Sequence, residues 1–111
     1  MDYTMKEKDG IVIIVLKNNF SKNVVKDVNK EIEKIIEQKK DKILFNLEQT
    51  NFIDSTGLAL MISTVKQLQN SNGQVKFCGI NQNVKQLLDV TRLNQYFDIY
   101  DNEQEAIETF K

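Results

Sequence analysis

The sequence predicts an α/β domain whose mixed β-sheet starts with an antiparallel hairpin and carries about four helices packed on it. Three observations carry that prediction. A β-branched run follows an Asp9-Gly10 turn, the apolar period then lengthens from strand-like to helical, and short apolar runs alternate with amphipathic stretches from there on. With 111 residues the chain is read as a single domain over 1–111, large enough to bury a core without disulfide or metal.

The elements follow in order. Residues 3–8 read weakly as extended, and "IVIIVLK" (11–17) reads as a buried strand. Asp-Gly between two such segments is the strongest short-range hairpin signal, so these strands are expected to be antiparallel. Over 22–40 the apolar residues Val24, Val25, Val28, Ile32, Ile35 and Ile36 recur at helical spacing, with Ser21 as N-cap. "KILFNL" (42–47) gives a third strand, 48–51 a polar turn, and Leu58, Leu60, Met61, Ile62, Val65 and Leu68 a second helix. "NSNG" (70–73) stops that helix, with Gly73 able to take positive φ, and "QVKFCG" (74–79) is a fourth strand. A third helix over 82–90 turns Val84, Leu87 and Leu88 inward. A turn with Leu93, Tyr96 and Phe97 leads to a last strand at 98–100, and Asn102 to Glu105 resembles a capping box opening a final helix with Ala106, Ile107 and Phe110.

Composition narrows the function. Fifteen basic against sixteen acidic residues leave a net charge of −1, which argues against a nucleic-acid partner. The longest apolar run, Ile11 to Leu16, is far short of the roughly 20 residues a membrane helix needs. The start, "MDYTMKEKDG", lacks the charged and apolar regions of a signal peptide, and the lone Cys78 suits a reducing cytoplasm. The sequence has no histidine and one cysteine, which removes Ser-His and Cys-His catalysis, His-ligated metals and thiolate cages. A non-enzymatic protein without cofactor is expected.

One stretch asks for more than a structural role. "NFIDSTGLAL" (51–60) sets Asp54, Ser55, Thr56 and Gly57 at the mouth of the second helix. Asp54 or Ser55 can cap it, satisfying an orphan N–H. Gly57 costs roughly 1 kcal/mol against alanine in a helix, so a close approach by a partner or a neighbouring backbone is expected there. A hydroxyl at this place can also accept phosphate, since a helix N-terminus presents free N–H groups and the positive end of the macrodipole. Phosphorylation adds about −1.5 to −2 charges. At an effective dielectric of ~20, two unit charges ~5 Å apart interact by roughly 3 kcal/mol, about a hundredfold in affinity. Residue chemistry alone does not choose between Ser55 and Thr56. A serine nucleophile is not supported, because the nearest downstream lysine, Lys66, lies about three turns along the helix.

In "ILFNLEQTNFIDSTGLALMISTVKQL" and "GQVKFCGINQNVKQLLDVTRL", followed by "EQEAI", the chain resembles the STAS domain family, specifically the stand-alone bacterial anti-sigma factor antagonists. The resemblance covers nearly the whole chain. It implies partner switching: the unmodified protein binds an anti-sigma factor that is also a GHKL-type serine kinase, so releasing a sigma factor. Phosphorylation of the serine after the motif's aspartate ends that binding, and a PP2C-type phosphatase restores it. The matching position is Ser55. Asp54, Thr56, Gly57 and Leu58 surround it, and the expected contact surface is 52–60 together with the 18–22 loop, including Asn18, Asn19 and Ser21. Three positions depart from the family pattern. Asn18 stands where members often have glycine, Ser21 where they have an acidic residue, and Arg92, the only arginine, where a small residue or glycine is common. Asn tolerates positive φ, so the turn at Asn18 can survive. A second reading stays open: a scaffold or interaction subunit, as in stressosome-like or lipid-transport complexes, with Asp54-Ser55 only a cap and contact surface.

Overall fold

The computed structural model describes residues 2–111. The strands are β1 (Tyr3–Lys8), β2 (Ile11–Phe20), β3 (Lys42–Ile53), β4 (Gln74–Cys78) and β5 (Asp98–Tyr100). The helices are α1 (Lys22–Glu37), α2 (Ser55–Asn70), α3 (Gln82–Val90) and α4 (Glu103–Thr109), with a 3₁₀ turn at Leu93–Gln95. The sheet order is β1-β2-β3-β4-β5, with β1 antiparallel to β2 and every later pair parallel. The expected mixed α/β sheet and its opening hairpin are therefore present. Asp9 and Gly10 take φ of 55° and 80°, the two left-handed residues a tight hairpin turn needs, and Tyr3 to Lys8 pair with Leu16 to Ile11.

The apolar run of β2 is buried on both faces, which is why it reads as continuous rather than alternating. Val12, Ile14 and Leu16 join the larger core beneath α1, α2 and α3, where Phe45, Phe77 and Phe97 stack. Ile11, Ile13 and Val15 face the other way, into a smaller cluster with Leu44, Cys78 and Ala106 of α4. There Glu103 fastens α4 to the sheet, accepting from Asn46 Nδ2 at 2.7 Å and pairing with Lys6 at 2.9 Å. The Cys78 thiol is buried and pushed up to about 12, by desolvation first and by Glu48 and Glu103 after it. It is an inert packing group.

Several boundaries differ from expectation. Strand β2 continues to Phe20, and β3 continues to Ile53 where a polar turn over 48–51 was expected. The two tails pair Lys17 with Gln49, Asn18 with Thr50, Asn19 with Phe52 and Phe20 with Ile53, across register shifts that break the two-residue alternation. Thr50, buried within this pairing, donates to the Leu16 carbonyl at 2.8 Å. Helix α1 ends at Glu37 rather than Lys40, because Lys39 turns left-handed at φ 60° while the Lys39 and Lys40 N–H groups bond back to Ile36 and Ile35. After α2 the left-handed residue is Asn72, at φ 61°, not Gly73. Gly73 serves a close approach instead, since a Cβ there would lie 2.8 Å from both the Asp41 carbonyl and Leu68. Ser21 holds the N-cap position of α1 without a side-chain hydrogen bond, and Phe110 lies just beyond α4, as its C-cap residue. Among the described residues no helix is long and apolar enough to cross a membrane.

Candidate functional site

Parallel pairing of β2 with β3 brings their C-terminal ends to one rim, where each strand gives way to a helix. The Asp54 N–H donates to the Phe20 carbonyl at 3.1 Å and extends the pairing one residue past Ile53. All eight residues that the sequence singled out lie along this rim. Asn18, Asn19 and Ser21 lie on the approach to α1; Asp54, Ser55, Thr56, Gly57 and Leu58 cross into α2.

Asp54 organises the rim. Its Oδ1 accepts from the Gly57 N–H at 3.0 Å and from the Thr56 hydroxyl at 2.6 Å, capping α2. Its Oδ2 accepts from the Lys22 N–H, the first of α1, at 3.2 Å. One carboxylate therefore caps two helices, and it supplies the cap that the Ser21 side chain does not. These donors, the Thr56 hydroxyl foremost and the Gly57 N–H next, hold the Asp54 carboxyl below its usual value of 3.8.

The two hydroxyls beside it differ. Thr56 is exposed, but its hydroxyl proton is committed to Asp54. Ser55, the first residue of α2, is also exposed, and among the described residues no hydrogen bond holds its hydroxyl. The attacking atom in a phosphoryl transfer must be reachable and free to turn toward the donor, and Ser55 Oγ meets both conditions.

Gly57 is buried, and a Cβ there would come within 2.7 Å of both the Phe20 carbonyl and the Phe20 ring. The close approach of the neighbouring backbone accounts for this glycine. Leu58 is half-buried and packs on the main core, while Asn19 is exposed. Asn18 takes φ 59°, the conformation the sequence reading allowed it, and its side chain reaches Asp2 at 3.3 Å. Phe52 stands out into solvent at 55% exposure, beside a cavity of about 280 Å³ lined by Asn51, Ile53, Asn83, Val84 and Leu87.

Sequence reasoning missed Asn81. Its Oδ1 caps α3 through the Val84 N–H at 2.8 Å, and its Nδ2 donates to the Thr50 carbonyl at 2.8 Å. It thereby ties the β3 tail, just ahead of the Asp54 motif, to α3. An asparagine before an apolar helix signals the cap, but nothing local signals the second bond, which crosses 31 positions of sequence.

Comparisons with known proteins bear on the family and the fold. Residues 2–106 match the family profile of the STAS domain. An "Anti-sigma F factor antagonist" of Paenibacillus polymyxa is 27% identical, the alignment covering 93% of this chain and 89% of that protein. The crystal structure of a Thermotoga maritima protein assigned as an anti-sigma factor antagonist superposes with a TM-score of 0.92 at 24% identity, covering 97% of this chain and 93% of the other. The Bacillus cell fate determinant SpoIIAA in its phosphorylated form gives 0.78 at 20% identity, covering 96% of each chain. At these identities the two structures speak for the fold alone.

Proposed function

The chain belongs to the STAS domain family, and on that premise we propose that it is a cytoplasmic anti-sigma factor antagonist switched at Ser55. Unmodified, it binds an anti-sigma factor that is a GHKL-type serine kinase and so frees a sigma factor. Phosphorylation of Ser55 by that kinase ends the binding, and a PP2C-type phosphatase restores it. The observation that carries the reading is the contrast at the head of α2: an exposed, unbonded Ser55 hydroxyl next to a Thr56 hydroxyl held by Asp54 at 2.6 Å. The name of the Paenibacillus relative supports the partner class.

The physics of the switch is a charge placed on a surface that otherwise carries one carboxylate. Asp54 already holds its negative charge strongly, because its donors lower its pKa. A phosphate dianion on the next residue therefore adds to that charge rather than replacing it. The docking surface is 52–60 with 18–22, and Phe52 is its exposed apolar contact. Gly57 contributes by letting Phe20 sit close beneath this surface.

Baits carrying Ser55→Ala and Ser55→Asp, used on extract of the native host, test the reading. The alanine bait is expected to retain a GHKL-type ATPase and the aspartate bait to lose it. Equal retention of transporter or assembly subunits by both would assign the chain to the scaffold class instead.

A further inference from the structure

We infer that Asp54 is a positioning residue that couples the charge state of Ser55 to the N-terminus of α1, so that both halves of the docking surface switch together. The inference rests on Ser55 being the modified residue, as proposed above. Its basis is the divided use of one carboxylate: Oδ1 holds the Gly57 N–H and the Thr56 hydroxyl on α2, and Oδ2 holds the Lys22 N–H on α1.

The connection is reinforced through the backbone. The Asp54 N–H donates to the Phe20 carbonyl, two residues before Lys22, so Asp54 grips the segment 20–22 from both of its ends. Ser21 adds no side-chain bond of its own to the start of α1. The Asp54 carboxylate is therefore the side-chain cap α1 has. Of its three bonds, that to Lys22 is the longest, at 3.2 Å against 3.0 and 2.6 Å. A phosphate on Ser55 repels the carboxylate and competes for the donors of the first turn of α2. As the carboxylate turns away, the Lys22 bond, the contact of Oδ2, is lost. The N-terminus of α1, with Asn18 and Asn19 on the strand tail leading into it, then loses its fixed relation to α2, although the phosphate need not touch that segment.

Amide NMR on the full chain tests this without any partner protein. Phosphoserine is inserted co-translationally at position 55, and Asp54→Ala provides the reference in which the cap is gone. Asp54→Gly serves in its place if the alanine variant does not fold, since glycine is tolerated at an N-cap yet offers no side-chain acceptor. The Lys22 amide is expected to shift on phosphorylation toward its position in the reference. The Glu105 amide, capped independently by Asn102 at 2.9 Å, stays in place. In a chain with both phosphoserine and Asp54→Ala, phosphorylation adds no further shift at Lys22.

A Lys22 amide that stays still while Thr56 and Gly57 shift would overturn the coupling. So would the same phosphorylation-induced shift at Lys22 in the Asp54→Ala background, since the charge would then reach α1 without Asp54. Because the readout needs no kinase, the coupling can fail while the Ser55 switch stands, and the switch can fail while the coupling stands.

Discussion

Asp54 joins sequence to function at the scale of single residues, and its chemistry fixes how the protein responds to acid. Its carboxyl titrates below 3.8 when folded, so the unfolded chain takes up the proton first as pH falls. The stabilisation is complete above 3.8 and is lost as pH drops through the lower folded value. Wild type is expected to exceed Asp54→Ala by about 0.5–2 kcal/mol at pH 7, the range for a lost N-cap. Urea denaturation at pH 7 and at pH 3 checks this: the gap narrows at pH 3, and an unchanged gap would assign it to packing. Arg92 gives the opposite case. It sits at φ 62° and is exposed. A left-handed conformation costs a non-glycine residue roughly 1–2 kcal/mol, and the extra freedom of glycine in the unfolded chain offsets part of it, so Arg92→Gly is expected to raise stability by about 1 kcal/mol in the same assay. The difference between the Ser55 and Thr56 hydroxyls is not legible from residue types. It depends on which hydroxyl Asp54 engages, and that follows from the turn geometry.

At the scale of elements, what the sequence makes legible is what local patterning controls. The hairpin at Asp9-Gly10, the helical spacing of α1 and α2 and the Asn102 cap of α4 need only neighbours in sequence, and each is found. The strand tails do not obey such a rule. Residues 48–52 are mostly polar, and register shifts break the alternation that would mark a strand, so their pairing with 17–20 is decided by contacts across the sheet. Those tails set the site, because they deliver Phe20 beside Ile53 and Lys22 beside Asp54. Asn81 holds the same region from the α3 side. Asn81→Ala removes the α3 cap and frees the Thr50 carbonyl, and is expected to cost about 1–2 kcal/mol in thermal unfolding. Hydrogen exchange should rise most at 50–53 and in the first turn of α3. Uniform exchange across the sheet would mean that Asn81 only caps its own helix.

At the scale of the whole molecule, one sheet separates two cores of unequal size. The larger, beneath α1, α2 and α3, makes the fold stable; the smaller is closed by α4 through Ala106 and the Glu103 contacts. The parallel strands give way to their helices at the rim where Asp54 and Ser55 lie, so the proposed switch sits where two helix starts meet, with Ser55 exposed. A charge added there is expected to act on the two helix starts that Asp54 joins while leaving the sheet and its two cores in place. The most direct test is the affinity of the anti-sigma kinase for the chain with serine and with phosphoserine at position 55, measured side by side by calorimetry. A loss of about a hundredfold on phosphorylation, the scale set by one added charge ~5 Å from another, is the predicted result. Equal affinity for the two forms would contradict the switch and leave Asp54-Ser55 as a helix cap in a constitutive interaction module.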